Sequence, residues 1–211
     1  MLRLTEIFYS LQGETSRVGL PTVFIRLTGC PLRCTYCDTA YAFHGGQRWA
    51  LPEIMAEVDK YQTPYVTVTG GEPLAQKECA VLLTALCDAG YDVSLETSGA
   101  LSISHLDPRV KKILDFKTPD SSEVEKNLYS NVAYLTDNDE VKFVICSRAD
   151  YEWSKEKLLE YQLDKKCTVL FSPSNEQLSA KTLAEWILED KLPVRFQIQL
   201  HKTLWGNEKG K

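Results

Sequence analysis

Three cysteines fall within eight residues in the run Cys30-Pro-Leu-Arg-Cys34-Thr-Tyr-Cys37, a C-x3-C-x2-C spacing. Thiolates ligate zinc and iron–sulfur clusters, and three of them in so short a segment can wrap one compact centre. A [4Fe–4S] cube takes four ligands. Three cysteines would leave one iron open, and an open position on a metal is where a substrate can bind. Structural zinc instead uses a closed set of four with paired C-x2-C spacing. For that alternative His44 is the nearest fourth ligand, seven residues past Cys37. A chance grouping is the third reading. The other four cysteines, Cys79, Cys87, Cys146 and Cys167, are scattered and read as small buried apolar residues.

A second group is Thr69-Gly70-Gly71-Glu72-Pro73. Two glycines let a backbone approach a ligand closely. Glu72 can accept hydrogen bonds from an ammonium, and Pro73 suits the first turn of a helix. Alone, this is also a common strand-to-helix turn. Polar residues alternate with apolar ones in two further runs. In Val23–Thr28, Phe24, Arg26 and Thr28 share a face; in Val194–His201, Arg195, Gln197, Gln199 and His201 do. A solvent-facing edge strand gives the same alternation, but in a barrel covered by helices the polar face points into the lumen. There Arg26 suits bidentate recognition of a carboxylate. Gln199 and His201 offer donors and acceptors to lactam and amino groups.

These groups need elements to hold them. Strand-length apolar runs occur at Val23–Leu27, Tyr65–Thr69, Val93–Glu96, Ile113–Phe116, Val141–Cys146, Thr168–Phe171 and Val194–Leu200. Helix-period stripes lie between several of them: Leu51, Ile54, Met55 and Val58; Ala75, Cys79, Leu82, Leu83 and Leu86; Leu158 and Leu159 in a charged helix; Ala180, Leu183, Ala184, Ile187 and Leu188. Strand and helix alternate about six times, the pattern of parallel βα units in an α/β fold. A closed eight-unit barrel needs ~250 residues. A single domain of 211 residues therefore implies an incomplete, trimmed barrel or an open sheet. Thr118–Asn131 reads as a polar loop with a short helix, and the tail Asn-Glu-Lys-Gly-Lys as frayed. Both the cysteine run and the double glycine follow strands, so they collect at the carboxyl end of the sheet, where parallel α/β folds bind ligands.

Composition bounds the rest. There are 24 basic and 29 acidic residues, a net charge of −5, which argues against wrapping nucleic acid by phosphate contacts. The first residues lack the apolar core of a signal peptide, and the longest apolar stretches are too short to span a bilayer. The expectation is a cytoplasmic chain with reduced thiols and no membrane association.

The cysteine spacing after a first barrel strand, with the aromatic Tyr36 before the last cysteine and a Gly-Gly-Glu-Pro turn one unit later, resembles the radical S-adenosylmethionine (SAM) enzymes. Further segments resemble one family within them, 7-carboxy-7-deazaguanine synthase. They are Phe8-Tyr-Ser-Leu-Gln-Gly-Glu14, Phe24-Ile-Arg-Leu27, Gly29–Thr39, Glu96-Thr-Ser-Gly99, Asp115-Phe-Lys117 and Gln199-Leu-His-Lys202, in the family's order along nearly the whole chain. The resemblance implies a partial βα barrel of the radical SAM type. It also implies conversion of 6-carboxy-5,6,7,8-tetrahydropterin to 7-carboxy-7-deazaguanine with loss of ammonia, for queuosine and related deazapurines. The cofactors implied are a [4Fe–4S] cluster, SAM and Mg2+. The partners implied are a flavodoxin- or ferredoxin-type electron donor and a second copy of the chain, with no direct contact to nucleic acid.

Residue by residue, the resemblance assigns Cys30, Cys34 and Cys37 to the cluster and Thr39 to Mg2+. Tyr36, Asp38, Gly71, Glu72, Asp115 and Lys117 go to SAM, with Ser172–Asn175 also nearby. Leu11, Gln12, Gly13, Arg26, Thr69, Glu96, Thr97, Gln199 and His201 go to the substrate. The chain departs from the family at Thr15, where Gln-Gly-Glu-Gly is frequent, and in continuing ten residues past His201. Two other functions share the cysteine spacing. A glycyl-radical-activating enzyme would need a peptide-sized groove. A non-enzymatic zinc or iron–sulfur module would leave the glycine turn and the polar strand faces without a purpose.

Overall fold

The computed structural model describes residues 1–175 and 177–210. Nine strands form one sheet: β1 (Leu2–Leu11), β2 (Pro21–Leu27), β3 (Gln47–Trp49), β4 (Tyr65–Gly70), β5 (Asp92–Thr97), β6 (Lys111–Phe116), β7 (Glu140–Ile145), β8 (Thr168–Pro173) and β9 (Arg195–Phe196). Their order is β3-β1-β2-β4-β5-β6-β7-β8-β9. From β2 to β9 every pairing is parallel, and β1 joins β2 and β3 antiparallel. The five helices are α1 (Leu51–Asp59), α2 (Cys79–Asp88), α3 (Arg148–Glu160), α4 (Ala180–Glu189) and α5 (Leu200–Trp205). The sheet does not close, so the fold is a partial βα barrel. Six parallel crossovers are present, and four of them carry an α-helix; β5–β6 and β6–β7 cross by loops and 3-10 turns.

Strand alternation sorts the side chains. Val23, Ile25 and Leu27, Val66 and Val68, and Val93 and Leu95 face outward into a core closed by Ile54, Val58, Leu82, Leu83 and Leu86 of α1 and α2. Leu114 and Phe116, Val141, Phe143 and Ile145, and Val169 and Phe171 do the same under Tyr151, Leu158, Leu183 and Ile187 of α3 and α4. The intervening residues, including Arg26, Thr67, Thr69, Ser94, Glu96, Asp115 and Lys142, point into the lumen. Of the scattered cysteines, Cys79 and Cys146 are buried, and Cys87 and Cys167 pack partly buried against these cores.

Strands β1 and β3 are added to those read from the sequence, and two local expectations change. Strand β1 lacks a clean period of two because its pairing slips between Leu4 and Glu6, a bulge that flips the phase. The run Val194–Leu200 is not a continuous strand. After the two residues of β9 the chain leaves the sheet edge, and Gln199 precedes helix α5. The Leu200 amide then donates to the Gly13 carbonyl at 2.9 Å, drawing the segment across the barrel opening. Nor is the described part of the tail frayed: residues 206–210 fold back along the cavity described below, with the Lys209 ammonium 4.6 Å from the Tyr41 ring centroid, and Lys211 lies outside the described residues. Among the described residues no helix is long and apolar enough to cross a membrane.

The loop after β6 is a structural support. Asp150, wholly buried in α3, accepts hydrogen bonds from Thr118 Oγ1, the Asp120 amide and the Cys146 amide, each at 3.0 Å. The loop it fixes in turn accepts from Thr35: the amide donates to Ser121 O at 3.1 Å and Oγ1 to Asp120 O at 2.7 Å. Asp150 thus secures the cysteine loop at one remove. Asp150→Ala strands the buried Cys146 amide and frees the part-buried Asp120 amide, and we expect it to lower the unfolding free energy by about 2–4 kcal/mol in urea denaturation.

Candidate active site

Strand β2 ends at Leu27, and the chain turns at Gly29 (φ +101°) into the cysteine run. The Arg33 guanidinium donates back to the carbonyls of Cys30 and Leu32 at 2.8 and 2.6 Å and lies 4.2 Å from the Phe43 ring centroid. The next parallel strand, β4, delivers Gly70 and Gly71 directly against this turn. The Gly71 amide donates to Leu27 O at 3.2 Å and the Glu72 amide to Gly29 O at 2.8 Å. A Cβ at position 71 would stand 2.4 Å from Gly29 O and 2.7 Å from Cys30 Cβ. Glycine is required there because two backbones touch, and the cysteine loop and the glycine turn form one cradle.

All three thiols of the run line a cavity of about 710 Å3 at the carboxyl ends of the parallel strands. The other residues assigned to the site from the sequence line the same cavity except Glu72; of Ser172–Asn175, Ser174 and Asn175 line it and Ser172 and Pro173 do not. Glu72 is fully buried and its carboxylate turns away. It accepts from Thr97 Oγ1, from the Ser98 amide and hydroxyl and from the Leu74 amide, all at 2.6–2.9 Å. Those bonds saturate it, so Glu72 ties the glycine turn to the end of β5 and is not free to receive an ammonium from a ligand. Thr97 shares this commitment through its hydroxyl.

One wall is polar and interlocked. Gln12 Nε2 donates to Glu96 Oε1 at 3.2 Å, and Thr69 Oγ1 to Glu96 Oε2 at 3.1 Å. Arg26 Nε donates to Glu6 Oε1 at 2.7 Å, under the rings of Phe8 and Tyr41. Its two terminal nitrogens have no hydrogen bond among the described residues. Gln199 Nε2 donates to Glu14 Oε1 at 2.8 Å. His201 sits so close to Gly13 that a Cβ there would stand 2.3 Å from Nδ1. Burial lowers the His201 pKa, against the pull of Glu14 and Asp38, which favours the neutral ring.

The opposite wall carries charge. Lys117 Nζ lies 3.0 Å from Asp115 Oδ2 and 5.7 Å from the Tyr36 ring centroid. Burial disfavours the Lys117 charge, but Asp115 and its neighbours outweigh this and raise its pKa. Two buried atoms here, Tyr36 OH and Asp115 Oδ1, have no partner among the described residues. A polar ligand would satisfy both. Burial pushes the Cys34 thiol up to about 11, and ligation must therefore release its proton. Among the described residues no three His, Cys, Asp or Glu side chains stand close enough to hold a single metal ion. The thiols offer a partial ligand set, as a cluster with an open iron requires. Two residues the motif reading passed over are Glu14 and Lys142, which pair in the lumen. Their signal was present: Glu140, Lys142 and Val144 alternate on β7 as Arg26 does on β2.

Because the cradle depends on backbone contact at Gly71, we expect Gly71→Ala to lower iron and labile sulfide after anaerobic reconstitution to below about a third of wild type. Cys79→Ser, in the α2 core, should leave both unchanged.

The radical SAM superfamily model matches residues 24–168. A 7-carboxy-7-deazaguanine synthase from Chlorobaculum tepidum is 45% identical over 208 residues, covering 97% of this chain and 94% of that protein. One from Koribacter versatilis is 41% identical over 222 residues, covering 98% of each. The crystal structure of QueE from Escherichia coli has the same fold, with a TM-score of 0.79 at 22% identity over 95% of this chain and 94% of that one. Identity of this order over nearly full length, together with a cavity that joins the cysteine triplet to the polar wall, sets aside both the glycyl-radical-activating and the bare metal-module readings. The chain belongs to the 7-carboxy-7-deazaguanine synthase family of the radical SAM superfamily.

Proposed function

We propose that this chain converts 6-carboxy-5,6,7,8-tetrahydropterin to 7-carboxy-7-deazaguanine with loss of ammonia. The observation that carries the reading is that Cys30, Cys34 and Cys37 open onto the same cavity as Arg26, Glu96, Gln199 and His201. When bound, the [4Fe–4S] cluster and SAM supply the one-electron cleavage that initiates hydrogen abstraction.

The protein's part is to hold and orient. The three thiolates would bind the cluster, and the touching backbones of Gly29 and Gly71 hold Cys30 beside the glycine turn. Tyr36, Asp38, Asp115 and Lys117, with the backbone of Gly71, hold SAM; the unpartnered Tyr36 hydroxyl and Asp115 Oδ1 support this. Glu72 serves by keeping the turn in place.

Arg26 receives the substrate carboxylate. Glu6 fixes its Nε, and the two terminal nitrogens, which have no hydrogen bond among the described residues, are left for a bidentate pair at the cavity that Arg26 lines. Leu11, Gln12, Gly13 and Thr69 form the adjoining wall, with Thr97 presenting whatever its bond to Glu72 leaves free. Burial and Glu14 raise the Glu96 pKa, against Lys142, Gln12 and Thr69. A neutral His201 is both a donor and an acceptor. Phe8 and Phe24, stacked with centroids 4.9 Å apart, give the mouth an apolar side.

Finer features rest on the family resemblance. Thr39 would offer one hard oxygen to Mg2+. A flavodoxin or ferredoxin delivers the electron in the cytoplasm, and the working unit is a homodimer that does not itself handle nucleic acid.

The direct test is anaerobic reconstitution followed by assay with the tetrahydropterin, SAM and a reductant. Formation of 7-carboxy-7-deazaguanine is expected; its absence with an intact cluster would contradict the reading. In the same assay Arg26→Lys, which loses the planar fork, is expected to lower kcat/KM about 10–100-fold, equivalent to about 1.4–2.8 kcal/mol.

A further inference from the structure

The loop between β1 and β2 does not skirt the barrel; it crosses the bore, tied down at every second residue. Gln12 Nε2 donates to Thr67 Oγ1 of β4 and Glu96 Oε1 of β5. Glu14 meets the Lys142 ammonium of β7. The Ser16 amide donates to the Glu140 carboxylate at the start of β7, where Lys111 of β6 also binds at 2.8 Å. Of these tethers, Glu14–Lys142 is the one made of two opposite charges that both line the cavity.

Lys142 also reaches Asp115 Oδ2 at 3.3 Å, and Asp115 carries Lys117 on the same oxygen. The other oxygen of Glu14 accepts from Gln199 at the head of the C-terminal helix. One buried ammonium therefore joins both walls of the cavity: the loop bearing Gln12 and Gly13, the segment bearing Gln199 and His201, and the Asp115–Lys117 pair beside the cysteines.

We infer that Lys142 is a positioning residue for the pterin substrate: bridging Glu14 and Asp115, it clamps the bore-crossing loop and the C-terminal segment into the shape the substrate needs. The inference rests on the substrate reading above. Lys142 and Glu14 form their ion pairs and hydrogen bonds with Asp115, Gln199 and each other and not with a cysteine of the run, so loss of the Lys142 ammonium should leave the cluster alone. The ionisation of the groups facing Lys142 agrees. Burial would raise the Glu14 carboxyl, but Lys142, His201 and Gln199 reverse this and hold it well below the ordinary range. Burial would likewise discharge Lys142, but Glu14, Asp115 and Glu96 raise its pKa well above the usual value. Lys117 lies beyond Asp115 as the nearest other cation. Without the ammonium, only His201 and Gln199 still oppose burial and the neighbouring Glu96, and the Glu14 pKa rises. A carboxylate ionised throughout the working range then becomes one that protonates as pH falls within it.

The experiment compares wild type, Lys142→Met and the charge-free pair Lys142→Met/Glu14→Gln. Iron and labile sulfide should match wild type in both variants. Amide hydrogen exchange across residues 12–20 should be at least about tenfold faster in Lys142→Met. The KM for the tetrahydropterin should rise by at least about tenfold. The kcat/KM profile of Lys142→Met should gain an acid limb between about pH 5 and 8, which disappears in the double variant because the titrating carboxyl is gone. Unchanged exchange, an unchanged KM and profile, or a limb that persists in the double variant would overturn the inference. If wild type itself makes no product, the substrate reading fails, and the exchange measurement still decides whether Lys142 is the clamp.

Discussion

Two backbones in contact set the geometry of this site. The turn after β4 presses on the turn after β2, amide to carbonyl, with no room for a side chain at Gly71. That contact is possible because β2 and β4 are adjacent parallel strands in register, Leu27 opposite Gly70. It puts the first cysteine next to the glycine turn, and the buried Glu72 carboxylate extends the same arrangement to the end of β5. From the other side, Asp150 fixes the loop that receives Thr35. The cysteine run is thereby held at both flanks, although it has no regular structure between Cys30 and Thr39.

The incomplete barrel raises a second physical problem. Its outward face is sealed by helices, but its lumen is lined with carboxylates, amides and ammonium groups that water would otherwise screen. The molecule answers by filling the bore with its own chain. The β1–β2 loop crosses it, and the C-terminal helix and tail cover the opening, so the charges find protein partners and face a restricted cavity. Pairing buried charges in this way is costly in desolvation and is seldom a net source of stability. Its return here is a preorganised polar surface, in which one carboxyl is kept ionised and its neighbour is biased toward the neutral form.

Much of this was legible in the sequence because it depends on periodicity and spacing. The parallel core strands, the helix stripes and the cysteine cradle all follow from patterns within a few residues. What was not legible depends on partners far along the chain. A bulge between Leu4 and Glu6 hid strand β1. The alternation from Arg195 to His201 suggested a strand that the sheet edge does not continue, since Gln199 and Leu200 find better partners at Glu14 and Gly13. Glu72 is the type of residue that binds an ammonium, and only the fold shows that its lone pairs are already spent. Lys142 was visible by alternation alone, but its importance comes from Glu14, 128 positions away.

The central claim is the proposed one: Cys30, Cys34 and Cys37 would hold a [4Fe–4S] cluster with an open iron, and the cavity that they line would bind SAM. Electron paramagnetic resonance of the reconstituted, reduced protein tests it most directly. The account predicts a reduced [4Fe–4S] signal whose g values shift when SAM is added. A signal indifferent to SAM, or bound zinc with neither iron nor labile sulfide, would contradict it.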